Sequence, residues 1–309
     1  MPCKLTICCI ALPLLLSAQQ TDPLAAAKAH LANNRLGDAE AELKQYLALH
    51  ETSAETHFLL GYTLFRETKA RESLAEYTAG AKYQKPNAEN LRVVAADYVL
   101  LSDYGDADKW FTLATKWEPQ NVLGWYYLGR TKYNENRFEE AVAAFERCLE
   151  LDPRHVKAED NLGLCLQALG RHDEAEQAFL RSIQWQSEAA AKDPWPFIDL
   201  GSFYLEINQG AKAIPYLQQA VTLSPDSVKA HQQLGKAYLS LQQLDKAQPE
   251  LEKAVQLSPD NAPAHYVLGQ LYAKRGNSAK AKEEFALYSQ LNAHHPAEAD
   301  REFHAPAQN

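Results

Sequence analysis

Cysteine is scarce in this sequence of 309 residues: there are five, and Cys3, Cys8 and Cys9 all fall within the first nine positions. The two that remain, Cys148 and Cys165, cannot build a disulfide-stapled scaffold, so a packed apolar core has to hold the fold. Basic charge is not in excess either. Lys and Arg number 31 against 40 Asp and Glu, a net charge of −9, and the two signs are interspersed. A nucleic-acid binder would carry a basic stripe, and without one no nucleic-acid partner is expected. Long apolar runs are also missing. The run over residues 5–16, broken by Pro13, spans about 18 Å as a helix, where a bilayer core needs roughly 30 Å. No nucleophile elbow, phosphate-cradling glycine loop, zinc-protease signature or paired-cysteine motif occurs, so the sequence marks no catalytic centre and no cofactor is expected.

That short run has another use. Lys4 precedes it, and the small residues Ser17 and Ala18 follow it before Gln19. This is the order of a secretory signal peptide, expected over residues 1–18 with cleavage near Ala18, although Leu16 is larger than usual three residues before such a cut. A lipid-anchored reading on Cys8 or Cys9 leaves too little apolar sequence after Lys4. The mature chain is therefore expected to be exported, periplasmic or secreted, with no integral membrane span.

Past the leader, small residues recur at Ala27, Gly61, Ala95, Gly129, Gly163, Gly201, Gly235 and Gly269, every spacing being 34 except one of 38. A second small residue follows each by twelve positions, from Ala39 and Ser73 through to Ala281. Four residues further on stand Leu43, Tyr77, Phe111, Phe145, Phe179, Leu217, Leu251 and Phe285. Pro119, Pro153, Pro225 and Pro259 close four of the units in register, where a helix cannot continue. The pattern describes a helical hairpin whose small residues let two helices approach while the large apolar residues fill the space between. Each hairpin keeps an apolar face that only a neighbouring hairpin can bury.

With Trp125, Leu128, Gly129, Tyr133, Ala141, Phe145 and Pro153 at fixed offsets in one unit, the chain resembles the tetratricopeptide repeat family over residues 20–295. The resemblance implies an all-α, right-handed α-solenoid of about eight 34-residue helix-turn-helix repeats. Repeats one to five are expected in residues 19–189, a short insertion at 190–196, repeats six to eight in 194–295, and a polar tail at 296–309. Asp193-Pro194-Trp195-Pro196 is expected to be non-helical and to mark the bend. Pro215 and Pro249 fall early in second helices, where few backbone bonds are lost.

In that family the first helices line a concave groove. The resemblance places Phe58, Tyr62, Phe65, Arg66, Arg92, Tyr126, Arg130 and Tyr133 there, and aromatic and arginine side chains are the types that dominate binding energy at interfaces. Some of these aromatics can equally pack between hairpins. The family's clamp for a terminal carboxylate needs Lys and Asn at set positions. Asn161 matches one of them, but Tyr126, Arg130, Trp195 and Asp199 stand at its neighbours. His231 and His265 recur at one position of successive units, about 10 Å apart, too far to share a metal, so they are read as core histidines. Cys148 and Cys165 leave two readings open, a disulfide across an antiparallel helix pair or two buried thiols. These features point to a non-enzymatic scaffold or adaptor that takes a protein or peptide segment in its groove. The alternative is an accessory protein that stacks its aromatics on an extracellular polysaccharide.

Overall fold

The structure, a computed structural model, describes residues 24–186 and 192–294. The expected signal segment and the tail from 296 lie outside these residues, as do the first two positions of the insertion. The described residues form sixteen α-helices and no strand. They fall into two compact units, residues 1–85 and 86–309.

The first unit holds two hairpins, α1 (Ala25–Ala32) with α2 (Leu36–Leu47) and α3 (Ala54–Arg66) with α4 (Ala70–Ala81). The second holds six. They pair α5 (Ala88–Leu100) with α6 (Tyr104–Trp117), α7 (Val122–Asn134) with α8 (Phe138–Leu151), and α9 (Val156–Ala168) with α10 (His172–Gln186). The last three pair α11 (Trp195–Glu206) with α12 (Gly210–Leu223), α13 (Val228–Ser240) with α14 (Leu244–Leu257), and α15 (Ala262–Lys274) with α16 (Ser278–His294). This is an all-α helical-repeat solenoid.

Most first helices start in the same way. The side chains of Ser53, Asn87, Asn121, His155, Ser227 and Asn261 each accept a hydrogen bond from the amide three residues on, satisfying one of the free N–H groups of the first turn. The sixth hairpin departs from this pattern. There Asp193 accepts from the Trp195 amide, and Trp195 and Pro196 form the first turn of α11 rather than the expected non-helical stretch. Proline suits this position because its fixed φ matches a helix and its missing N–H would have had no partner. Pro215 and Pro249 lie inside α12 and α14, and both helices run through them.

The turn inside each hairpin is equally regular. One residue per turn is left-handed: Asn34, Thr68, Ser102, Asn136, Gly170, Asn208, Gln242 and Gly276, with φ between 56° and 76°. The following amide reaches back to a carbonyl in the first helix, as Lys69 does to Leu64 and Asp103 to Tyr98, which closes the helix end. Only two of the eight positions carry glycine, the residue with no steric objection to that conformation.

The core follows the repeat. Phe111, Phe145 and Phe179 are essentially sealed from solvent, and each buried ring contributes about 1.5–3 kcal/mol relative to exposure. Glycine is required beneath two of them: a Cβ on Gly129 would lie 2.7 Å from the Phe145 ring, and one on Gly163 would lie 2.7 Å from Phe179. In the second unit, successive first helices also touch one another, α7 with α9, α9 with α11, α11 with α13 and α13 with α15. They form the crowded inner layer of that unit, and the second helices lie outside it.

Candidate partner-binding surface

The eight groove residues expected from the sequence divide between the two units. In the first, Phe58 is buried. Its ring stacks 5.8 Å from Tyr77, and a Cβ on Gly80 would lie 2.7 Å from it. It belongs to the hairpin core and presents no face to a partner. Tyr62 and Phe65 are half-buried neighbours with ring centres 6.5 Å apart. Arg66 covers the Tyr62 ring at 5.8 Å and donates to the Asn34 side chain at 2.6 Å, so its guanidinium is held between hairpins. What this unit offers a partner is an aromatic pair with a fixed cation at its edge.

In the second unit Arg92 is partly buried and ion-paired with Glu118, and its stem lies against Gly124. Tyr126 is buried, with Tyr127, His155 and Phe145 around it at ring-centre distances of 5.2, 5.0 and 6.1 Å. Burial pushes its hydroxyl above the usual tyrosine range, against the opposing pull of Arg130. Arg130 lies 5.9 Å over that ring, and Tyr133 meets Phe138 edge-on at 5.5 Å. Both are half-buried, so α7 presents a cation and an aromatic edge one turn apart.

The histidines are structural in a specific way. His57, His231 and His265 occupy one repeat position, and each Nδ1 lies 2.6 Å from a glutamate of its own second helix: Glu76, Glu250 and Glu284. The other nitrogen faces a backbone carbonyl, of Glu51, Pro225 or Pro259, at 2.9–3.0 Å. With both ring nitrogens engaged, neither His231 nor His265 is available to a metal. His155, depressed by burial, is instead an acceptor at the start of α9.

Cys148 and Cys165 are free, buried thiols within one apolar cluster, so the disulfide reading is set aside. Burial pushes both up to about 12, which leaves no thiolate to act as a nucleophile.

Two polar features were not anticipated. The first joins the third and fourth hairpins: Asp108 binds Lys132 at 2.9 Å and Arg137 at 2.7 Å, and Glu140 binds the same two cations. Burial would raise Asp108, but its two cations outweigh that and hold it below the carboxylate range, while Arg137 and Lys132 pull Glu140 down to about 2. The second lies in the inner layer, where Asp160 on α9 is buried with its Oδ1 lacking a hydrogen-bond partner among the described residues, and burial with the negative charge of Asp199 on α11 holds it well above the aspartate range. The sequence signal for it is faint, since the two lie 39 residues apart across the one irregular spacing. Among the described residues no helix is long and apolar enough to cross a membrane.

Sequence models described as tetratricopeptide repeat match residues 113–194, 204–252 and 262–295, and one described as TPR repeat matches 235–276. Tetratricopeptide repeat protein 8 of Caenorhabditis elegans is 24% identical over 200 residues, which are 65% of this chain and 39% of that protein. A peroxisomal targeting signal receptor of Candida glabrata is 37% identical over 73 residues, 24% of this chain and 12% of the receptor. The chain thus spans well under half the length of either relative. Among solved structures, a tetratricopeptide repeat protein from Parabacteroides merdae superposes with a TM-score of 0.66 at 19% identity, over 81% of this chain and 97% of that one. The hairpins, their register and these matches agree: the chain belongs to the tetratricopeptide repeat family.

Proposed function

We propose that this protein is a non-enzymatic scaffold that holds a segment of a partner protein against its first helices, outside the cytoplasm. The observation that carries this reading is the division of labour within the hairpin. Repeat-defining residues such as Gly129, Ala141 and Phe145 are spent on the core, whereas Tyr62, Phe65, Arg130 and Tyr133 remain half-buried on first helices. Half-buried aromatics and arginines on packed helices offer large contact area with little side-chain freedom to lose. The name of the Candida glabrata relative makes it a receptor for a targeting signal, a role of the same kind. Export rests on the leader-like order of residues 1–18. The polysaccharide alternative loses two of its rings, because Phe58 and Tyr126 are buried and present no face to a sugar.

The test is co-purification from the native host. The chain, tagged at its C-terminus, is recovered from the extracytoplasmic fraction and compared with a variant carrying Tyr62→Ala and Tyr133→Ala. A stoichiometric protein partner that the variant loses, while melting like the parent, supports the reading. A partner retained equally by both places the site elsewhere. N-terminal sequencing of the recovered chain checks export, with Gln19 the expected first residue.

A further inference from the structure

The first helices of the fifth, sixth and seventh hairpins carry polar atoms that the fold leaves unused. On α9, Asp160 and Gln167 are seven residues apart and share one face, about 10 Å from each other along the helix. On α11, Asp199, Ser202 and Glu206 share a face, and on α13 Gln233 shares one with Lys229 and Lys236. Gln167 donates to Glu206 at 2.5 Å, which brings the faces of α9 and α11 together, and α13 packs beside α11. Asp160 is only 5% exposed. Its Oδ1, like Gln167 Oε1, Ser202 Oγ and Gln233 Oε1, lies buried with no hydrogen-bond partner among the described residues. The charges are unmatched as well. Asp160, Asp193, Asp199 and Glu206 form no ion pair among the described residues, whereas Glu159, next to Asp160 on α9, is paired with Arg181. Lys229 exerts a favourable pull on Asp199, and Lys157 and Lys192, the cations nearest in sequence to Asp160 and Asp193, are exposed.

We propose, resting on the scaffold reading above, that the joined faces of α9 and α11 dock a basic, extended segment of the partner, whose arginine side chains supply the donors and the counter-charge that these acids and amides lack. Every one of the four orphaned atoms can accept a hydrogen bond, and a buried acceptor without a donor is costly. An acidic segment would only add acceptors to acceptors. A guanidinium offers five N–H donors in a planar fork and stays charged, so one side chain can serve a carboxylate and a neighbouring amide or hydroxyl together. Burial and the charge of Asp199 disfavour the carboxylate form of Asp160, and an arriving cation offsets both. Among the described residues no three acids, histidines or cysteines converge as a metal site requires, so a spread-out ligand suits this face better than a point ion. Gln167, Asp199, Ser202 and Gln233 are half-buried, so side-chain rotation at the inner surface brings them to the segment. Arg130 and Tyr133 lie on α7, which packs on α9, so the acidic face continues the surface already described.

The experiment uses the full chain and two fluorescein-labelled octapeptides, one alternating arginine with alanine and the other glutamate with alanine. Anisotropy is read at about 0.15 M salt, which screens loose attraction to the net negative chain. The arginine peptide should bind and the glutamate peptide should not. Asp160→Asn with Asp199→Asn should weaken binding about tenfold or more. Glu139→Gln with Asp226→Asn, the same loss of charge at exposed positions elsewhere, should weaken it less than about twofold. Gln167→Leu with Ser202→Ala, which removes acceptors and no charge, should also weaken it several-fold. On the wild type alone, amide exchange in α9 and α11 should slow with the arginine peptide and stay unchanged with the glutamate peptide, a readout that needs no variant to fold. Absence of binding, binding that Asp160→Asn with Asp199→Asn leaves unchanged, equal losses from the two acidic pairs, or protection confined to other helices would each overturn the proposal. The scaffold reading stands or falls separately, on the co-purification that Tyr62 and Tyr133 control.

Discussion

Thr68, Ser102 and Gln242 sit at left-handed turn positions that two other hairpins fill with Gly170 and Gly276. Replacing all three with glycine should stabilise the solenoid, although glycine normally weakens a helical protein. An L-residue in this conformation costs about 1–2 kcal/mol through the approach of Cβ to the following carbonyl. Glycine gives back about 0.4–1 kcal/mol of that gain through the greater freedom of the unfolded chain. The net is about 0.5–1 kcal/mol per site, largest at the β-branched Thr68, and about 2 kcal/mol for all three, since the sites lie in different hairpins and should add. Little packing is lost, because all three side chains are exposed and the one bond at issue runs from the Thr68 hydroxyl to the adjacent Glu67 carbonyl. The assay is urea unfolding: each substitution should raise the midpoint without changing the slope, while Gly170→Ala and Gly276→Ala should lower it. If any of the three glycines lowers the midpoint, the left-handed turn is not the source of strain and the reasoning fails.

Three further outcomes follow from the core and its charges. Phe179→Ala should cost about 3–5 kcal/mol, because a fully buried ring leaves a cavity between two helices pinned by Gly163, and urea unfolding measures it. Asp108→Asn should destabilise by about 1–3 kcal/mol at pH 7 by removing the shared acceptor of Lys132 and Arg137. Since the Asp108 carboxyl is held below its unfolded value, its contribution is present above about pH 4 and lost as pH falls further, so the gap between wild type and variant should close by pH 3 in thermal melts. Iodoacetamide at pH 8 should leave Cys148 and Cys165 unmodified in the folded protein and alkylate both in urea, as mass spectrometry would count.

Much of this architecture was legible from spacing alone. The 34-residue recurrence of Gly129 and Gly163 with Phe145 and Phe179 requires a hairpin in which small residues face large ones, and local sequence carries that information because each hairpin packs mainly on itself and its neighbours. The resemblance also located the first helices correctly. It could not tell which of their side chains turn outward. Phe58 and Tyr62 lie four residues apart on one helix, yet the first is under Tyr77 and beside Gly80 while the second is half-exposed next to Arg66. That difference is set by which neighbour arrives on each side, and helical periodicity is blind to it.

Polar pairings were the least legible. His231 meets Glu250 and Asp108 meets Lys132 across helices, where only packed backbones bring the groups within reach. The sequence by itself determined that the chain is an eightfold array of helical hairpins, since apolar periodicity and small-residue register act over distances of one repeat. Only the tertiary structure decided which aromatics stay half-exposed, that the cysteines stay free, and that Asp160 is buried, because burial and proton affinity depend on every element packed around a group and not on the residue itself.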